Sequence, residues 1–185
     1  MRTQRFIIGV VLGIGLAVAA GNVEAREKSF NASFAGTIIN KDDFSFTGTP
    51  GNYATVAGKS TLGPYTAQLV YEASPDGNTC TLPGGSSGVE FALAGEIVVL
   101  SFTEKGKQIF LNLSPSGQLV CFDPIPSLII GQATFDVIGG TGRFAGATGT
   151  IVKTFKTIGL AAAAPGRGIF LSFTGTFDGT IEFAQ

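Results

Sequence analysis

The strongest constraint on the fold of this chain is the alternation of side chains in its last segment, residues 169–183. Apolar side chains or glycines occupy every second position, and hydroxyl-bearing or acidic side chains occupy most positions between them. A period of two belongs to a strand with one buried and one wet face. Gly175 and Gly179 fall on the apolar side, where a missing side chain lets a long strand bend. The segment therefore predicts a long, bent β-strand.

The rest of the chain repeats this pattern. Glycine (27 residues) and phenylalanine (16 residues) are abundant, and no run of helical period stands out. The only helix-friendly run, residues 160–164, is short enough to predict a loop or a single turn. Eight or more short strands separated by turn-forming residues predict an all-β fold, either a barrel or a sandwich. We expect a single closed antiparallel β-barrel of about eight strands. The further alternating segments are residues 30–39, 44–49, 65–72, 89–94, 107–113, 132–138 and 148–156, and the predicted turns are residues 75–78, 83–86, 104–106, 115–117 and 139–142.

The first 25 residues have the layout of a secretory signal peptide. Arg2 and Arg5 precede an apolar run at residues 6–20, and a polar end closes at Ala25. The apolar run is shorter than the roughly 20 residues that span a bilayer, so a cleaved signal is the better interpretation than a membrane helix. We expect residues 26–185 to form one barrel domain that is secreted or periplasmic and is not an integral membrane protein.

Several chemistries are excluded by composition. Histidine is absent, which removes serine–histidine and cysteine–histidine catalysis and the commonest metal ligand. No metal-ligand spacing is visible, so we expect neither a metal nor another cofactor. The 12 basic and 13 acidic residues give a formal net charge of −1, which does not favour nucleic acid as a partner.

Cys80 and Cys121 are the only cysteines. In an oxidising compartment an even pair is most simply a disulfide, and the pair lacks the C-x-x-C spacing of a redox-active site. Closing a loop of about 40 residues would stabilise the fold by about 4 kcal/mol in the chain-entropy model.

The most distinctive segment is glycine-rich, residues 139–149. Gly140, Gly142 and Ala145 satisfy a loose G-x-G-x-x-A dinucleotide-binding spacing, but that motif requires a following helix, and a β-patterned run follows here. We interpret the segment as a hairpin turn in which glycines adopt positive φ, Phe144 returns to the core and Arg143 donates hydrogen bonds to nearby carbonyls. The turn residues are Gly139, Gly140, Gly142, Arg143, Phe144 and Gly146.

This segment resembles the strand–turn–strand signature of the allene oxide cyclase and dirigent families, and the chain looks most like an exported bacterial-type member of unassigned function. The resemblance implies a calycin-like barrel with a central apolar cavity, often trimeric, in proteins that steer cyclisation or radical coupling of small hydrophobic molecules. The working residues of those families lie on other strands, so no catalytic residue is carried over to this chain.

Two side chains are candidates for ligand binding. Lys153 lies between Ile151 and Phe155 in the alternation, so its ammonium points inward if they do. It would contact a ligand or snorkel to the strand end. Tyr71 would present its phenol to the cavity or lie in the core with its hydroxyl at the rim.

Three functions remain open from the sequence. The first is binding of a small apolar molecule inside the barrel. The second is a cofactor-free isomerase, cyclase or dirigent-type protein, and the third is a structural surface protein with a filled barrel. Residues 97–102 and 128–130 are apolar on both faces, so we expect a loop or another subunit to cover them. A homo-oligomer, a trimer by resemblance, would provide that cover.

Overall fold

The computed structural model describes residues 26–41, 51–104, 106–115, 118–123, 128–162 and 169–183. The predicted signal peptide and the predicted strand at residues 44–49 lie outside these residues. The described part contains nine strands and a short 3₁₀ turn at Gly142–Phe144. The strands are β1 (Arg26–Lys41), β2 (Gly51–Ser60), β3 (Gly63–Thr81), β4 (Ser87–Phe102), β5 (Gln108–Leu113), β6 (Leu119–Asp123), β7 (Leu128–Gly140), β8 (Thr148–Ala162) and β9 (Ile169–Phe183).

The sheet closes on itself through antiparallel pairs. Going round the ring, the order is β1, β2, β3, β4, β5, β7, β8 and β9, and β9 pairs with β1. The short strand β6 continues the position of β5 and pairs with both β4 and β7. The predicted closed antiparallel barrel of about eight strands is therefore confirmed. No described helix is long and apolar enough to cross a membrane.

The alternation in β9 sets which side chains enter the barrel. Phe173, Phe177 and Ile181 are fully buried, whereas Thr174 and Thr176 are exposed and Thr180 is partly exposed. A Cβ atom on Gly175 or Gly179 would lie 2.1 Å from a carbonyl oxygen of β8. Only glycine permits this approach, so these two positions let β9 bend against β8.

Aromatic rings fill the middle of the barrel. The ring of Phe34 lies 4.9 Å from the rings of both Phe173 and Phe177, and Phe155 lies 5.5 Å from Phe173. These centroid distances are typical of favourable aromatic pairs. Side chains from β1, β8 and β9 thus share one continuous core.

The glycine-rich segment is the turn between β7 and β8. Gly139, Gly142 and Gly146 have φ of +128°, +61° and +70°. Gly140 is needed for a different reason, because a Cβ there would lie 2.2 Å from the carbonyl oxygen of Gln108. The chain returns as an antiparallel strand at Thr148, so no helix follows that could present its N-terminus to a phosphate.

Phe144 closes this end of the barrel. It is fully buried, with its ring 5.1 Å from Phe102 and 5.7 Å from Phe183. Arg143 donates a hydrogen bond to the carbonyl of Leu62 at 3.2 Å, and its guanidinium lies 4.8 Å from the Phe144 ring. The turn is therefore held to the body of the barrel by both of its side chains.

The disulfide prediction is confirmed: Cys80 and Cys121 are bonded, with Cα atoms 5.9 Å apart. The bond ties the far end of β3 to β6. Since β6 has only five residues, this covalent link supplements a short hydrogen-bonded ladder.

The strand boundaries differ from prediction in four places. Residues 75–78, predicted as a turn, lie within β3, where Gly77 has φ of +87° and the register shifts between Pro75 and Thr79. Pairing with β4 resumes at Thr79, beyond the turn-forming residues. These residues therefore form an irregularity within one strand and do not end it. Strands β2 and β6 were not predicted. Residues 160–162, predicted as a loop or turn, continue β8.

Candidate functional site

A lysine and a glutamate form an ion pair inside the barrel. Lys153 of β8 and Glu96 of β4 have side chains that are 2% and 0% exposed. The Lys153 ammonium donates a hydrogen bond to Oε1 of Glu96. Strands β4 and β8 are not neighbours in the ring, so the pair joins two walls of the barrel across its interior.

A β-bulge in β4 turns Glu96 inward. Tyr71 of β3 faces both Gly95 and Glu96, and Gly95 has a left-handed φ of +65°. A glycine in this conformation is typical of a bulge that redirects the following side chain. The extra residue shifts the alternation, so Leu93 before the bulge and Glu96 and Val98 after it are all buried. The register pairs on either side of the bulge are Val70–Ile97 and Glu72–Ala94.

Four aromatic rings from the described residues surround the Lys153 ammonium. Its Nζ lies 5.6 Å from the ring centroid of Tyr71, 5.1 Å from Phe135, 4.8 Å from Phe155 and 5.8 Å from Phe173. These side chains, which we term the aromatic cage, come from β3, β7, β8 and β9. A ring within about 6 Å attracts a cation through its quadrupole, and the attraction grows when water is excluded.

Burial shifts the pKa values of three ionisable groups at this site, Lys153, Glu96 and Tyr71. Burial lowers the pKa of Lys153, and the charge and hydrogen bond of Glu96 oppose that shift. Burial raises the pKa of Glu96, and Lys153 opposes it. Burial, assisted by the charge of Glu96, also raises the pKa of Tyr71. The surroundings therefore favour the neutral form of each group, and the pair retains its charges only through mutual attraction.

One oxygen of the pair lacks a hydrogen bond within the described part of the chain. Oε2 of Glu96 is buried without a partner there, and so is the hydroxyl of Thr157, which also faces inward from β8. A buried polar atom left without a hydrogen bond costs roughly 1–3 kcal/mol. Such atoms need a physical explanation, and functional sites are one common source.

The structure brings Lys153 and Tyr71 together, although the sequence singled them out separately. Lys153 is a buried inward side chain and does not snorkel to a strand end. The phenol of Tyr71 is buried beside the pair, which agrees with an inward orientation of this side chain. The six turn residues lie at the Phe144 end and supply none of the rings of the aromatic cage.

Glu96 was missed by the sequence analysis. Two signals mark it: an acidic residue in a strongly apolar run, and the preceding glycine, which breaks the alternation of the strand. Neither signal identifies Lys153 as its partner, because the two residues lie 57 positions apart.

Other parts of the described structure offer less chemistry. No group of three or more histidine, cysteine, aspartate or glutamate side chains lies close enough to hold a metal among the described residues. An open groove of about 470 Å³ runs along the barrel wall beside Leu119, Thr154, Lys156 and Thr176. The charged residue in its lining, Lys156, is exposed to solvent, so the buried interior pair is the stronger candidate site.

The chain matches no protein-family model, no curated protein and no solved structure. The buried pair and its surroundings are therefore the features of the chain that point to a function.

Proposed function

We propose that this protein is an exported barrel protein that binds a small hydrophobic molecule carrying one polar group. Lys153, Glu96 and Tyr71 would contact the polar group, and the rings of the aromatic cage would contact the apolar part. The observation that carries the proposal is the ion pair buried in a mainly apolar interior, with one carboxylate oxygen left unpartnered within the described residues.

A purely structural role explains this pair poorly. Removing two charges from water costs several kcal/mol per ion, and a well-packed apolar pair is often equally or more stable. The cost falls when every polar atom is hydrogen-bonded, but Oε2 of Glu96 has no partner within the described residues. A ligand that donates a hydrogen bond to this oxygen would reduce the cost.

The surroundings favour a small, mainly apolar ligand. Small-molecule sites are lined by hydrophobic and aromatic side chains with a few converging polar groups, and a barrel of about eight strands has room for side chains or one small ligand. Export is supported by the signal-peptide layout of residues 1–25 and by the Cys80–Cys121 disulfide, which is typical of oxidising compartments.

A second candidate is the cofactor-free isomerase or cyclase activity implied by the allene oxide cyclase and dirigent resemblance. The observation that favours it is the cluster of an amine, a carboxyl and a phenol whose pKa values are all shifted by burial. Groups with such shifts are suited to proton transfer. The closely packed phenylalanines favour the third candidate, a structural protein with a filled barrel.

The outer surface also carries large exposed apolar side chains. Ile97 on β4 and Ile138 on β7 are 51% and 61% exposed. Large exposed apolar side chains are common at subunit interfaces when they are contiguous. We include a homo-oligomer in the proposal, with the trimer taken from the resemblance alone.

Native mass spectrometry of the protein purified from its export compartment tests the binding function. We expect a noncovalent ligand that is lost on denaturation, and we expect Lys153→Met to reduce its occupancy at least tenfold. Lys156→Met is the matched control, because Lys156 lies on the same strand but is exposed. A ligand-free wild-type protein that also shows no thermal stabilisation by a panel of apolar alcohols, acids and aldehydes would refute the proposal.

A further inference from the structure

We infer that Lys153 is a carbonyl-trapping amine, which forms a Schiff base with an apolar aldehyde or ketone held in the aromatic cage, while Glu96 transfers the protons and then pairs with the iminium. This inference rests on the proposed binding function and specifies its ligand class. It is carried by the position of a primary amine against a carboxyl group inside an apolar enclosure.

Lys153 differs from the other lysines whose side chains are described. It is fully buried, whereas Lys28, Lys59 and Lys156 are exposed and Lys107 is partly exposed. A desolvated lysine in an apolar pocket is an activated nucleophile, because the free amine, not the ammonium, attacks a carbonyl carbon. The downward shift of the Lys153 pKa by burial acts in the same direction.

Glu96 is placed to move each proton that the reaction requires. Its carboxylate takes a proton from the Lys153 ammonium, and the amine nitrogen then bonds to the carbonyl carbon as the C=O π electrons move to oxygen. A proton passes from nitrogen to that oxygen and gives a carbinolamine. Glu96 returns its proton to the hydroxyl, the C–O bond breaks, and the nitrogen lone pair forms C=N as water leaves. The products are water and an iminium beside a Glu96 carboxylate, with no net oxidation or reduction.

The aromatic cage suits the product as well as the free lysine. The iminium keeps the positive charge at a nitrogen surrounded by four rings, so the cation–π attraction of the ammonium is retained. An apolar enclosure also limits the water that would hydrolyse the C=N bond. An apolar aldehyde matches the polarity of these surroundings better than a polar sugar, because the four rings offer no hydrogen-bonding group except the Tyr71 hydroxyl.

The test uses the purified full chain with benzaldehyde and decanal, each followed by borohydride reduction and peptide mapping. Benzyl alcohol and decanol, which have the same skeletons without the carbonyl, are the matched probes for noncovalent binding in native mass spectrometry. We expect one reduced adduct per chain, located on Lys153 and at least tenfold less abundant on Lys156. This mapping uses the wild-type protein, so it does not depend on whether a variant folds.

Two variants separate the roles of the pair. Lys153→Arg retains a cation for Glu96 but has no primary amine, so it should lose the adduct, and Lys156→Arg should retain it. Glu96→Gln should retain Lys153 but slow adduct formation by about 100-fold, within the range of general acid–base contributions. An adduct that forms at the wild-type rate in Glu96→Gln would contradict the proton-transfer role.

The outcomes distinguish the two proposals. If all four probes bind reversibly but borohydride fixes nothing to Lys153, the Schiff-base inference is wrong and the binding function stands. If the wild-type protein binds none of the probes, both proposals are overturned for these ligand classes. An adduct confined to the exposed lysines overturns the Schiff-base inference alone.

Discussion

Removing one partner of the buried pair at a time should produce variants whose stabilities depend on pH in opposite directions. Lys153→Met leaves the Glu96 carboxyl alone in the interior, and Glu96→Gln leaves the Lys153 amine alone. A lone buried group avoids the cost of its charge by staying neutral. The penalty in each variant is then the free energy needed to keep that group neutral at the working pH.

The size of each penalty follows from the ordinary pKa of the group. An ordinary carboxyl has a pKa of 4.5, so keeping it neutral at neutral pH costs about 3 kcal/mol, at roughly 1.4 kcal/mol per pH unit. An ordinary lysine has a pKa of 10.5, and the corresponding cost is about 5 kcal/mol. Both values agree with the roughly 3–5 kcal/mol that breaking a buried ion pair costs.

The signs are opposite for a definite reason. In Lys153→Met the folded pKa of Glu96 is raised, so the folded state holds the extra proton, and stability is lost as pH rises above the ordinary carboxyl pKa. In Glu96→Gln the folded pKa of Lys153 is lowered, so the unfolded state holds the extra proton, and stability increases as pH rises towards the ordinary lysine pKa. Each slope should approach 1.4 kcal/mol per pH unit relative to the wild type.

Urea unfolding followed by circular dichroism at about pH 5, 7 and 9 measures these slopes. The double variant Glu96→Gln/Lys153→Met lacks both members of the pair and should show neither slope. Tyr71 remains, but burial raises its pKa, so its phenol stays neutral over this pH range. Lys156→Met, on the exposed side of β8, should stay within about 0.5 kcal/mol of the wild type throughout. Parallel pH profiles for the two single variants would show that the lone groups are solvated, and would refute the argument that the interior keeps them neutral.

Three further predictions concern the barrel itself. Replacing both Cys80 and Cys121 with serine should lower the free energy of unfolding by about 4 kcal/mol in the chain-entropy model, measured by urea unfolding against the oxidised wild type. Phe144→Ala should cost about 3–5 kcal/mol because it empties a fully buried position at the barrel end, and a melting temperature within error of the wild type would contradict that role. Gly175→Ala should cost about 1–3 kcal/mol because its Cβ would meet a carbonyl oxygen of β8 at 2.1 Å, whereas Thr176→Ala, at the exposed neighbouring position, should change stability by less than about 0.5 kcal/mol.

The sequence predicted the fold class well because alternation is a local signal that survives in a barrel. It failed at β2, whose Gly51, Asn52, Gly58 and Lys59 have the composition of a loop. That segment is a strand because β1 and β3 pair with it on both sides. Non-local pairing of this kind overrides local propensity, and no single segment records it.

The candidate site was predictable only in part, for a related reason. The inward direction of Lys153 followed from its place between two buried neighbours, and the same rule applied to Tyr71. Predicting the inward direction of Glu96 required knowledge of the bulge, since simple alternation counted from Leu93 assigns this side chain to the outer face. The left-handed φ of Gly95 reverses that assignment, and its effect is visible only once β3 and β4 are paired.

The Lys153–Glu96 ion pair links two strands that are not neighbours, and this link has a structural and a functional explanation. The stability of a double variant distinguishes the two. A contact from β4 to β8 could fix the cross-section of the barrel, but apolar side chains of similar volume would do so at equal or lower cost. The double variant Glu96→Gln/Lys153→Met should then be about as stable as the wild type at neutral pH, yet unable to retain a ligand or react with an aldehyde. A site that supplies chemistry without adding stability is typical of a functional trade-off. If the double variant were instead far less stable than the wild type, the pair would be needed for folding itself, and the structural explanation would be the better one.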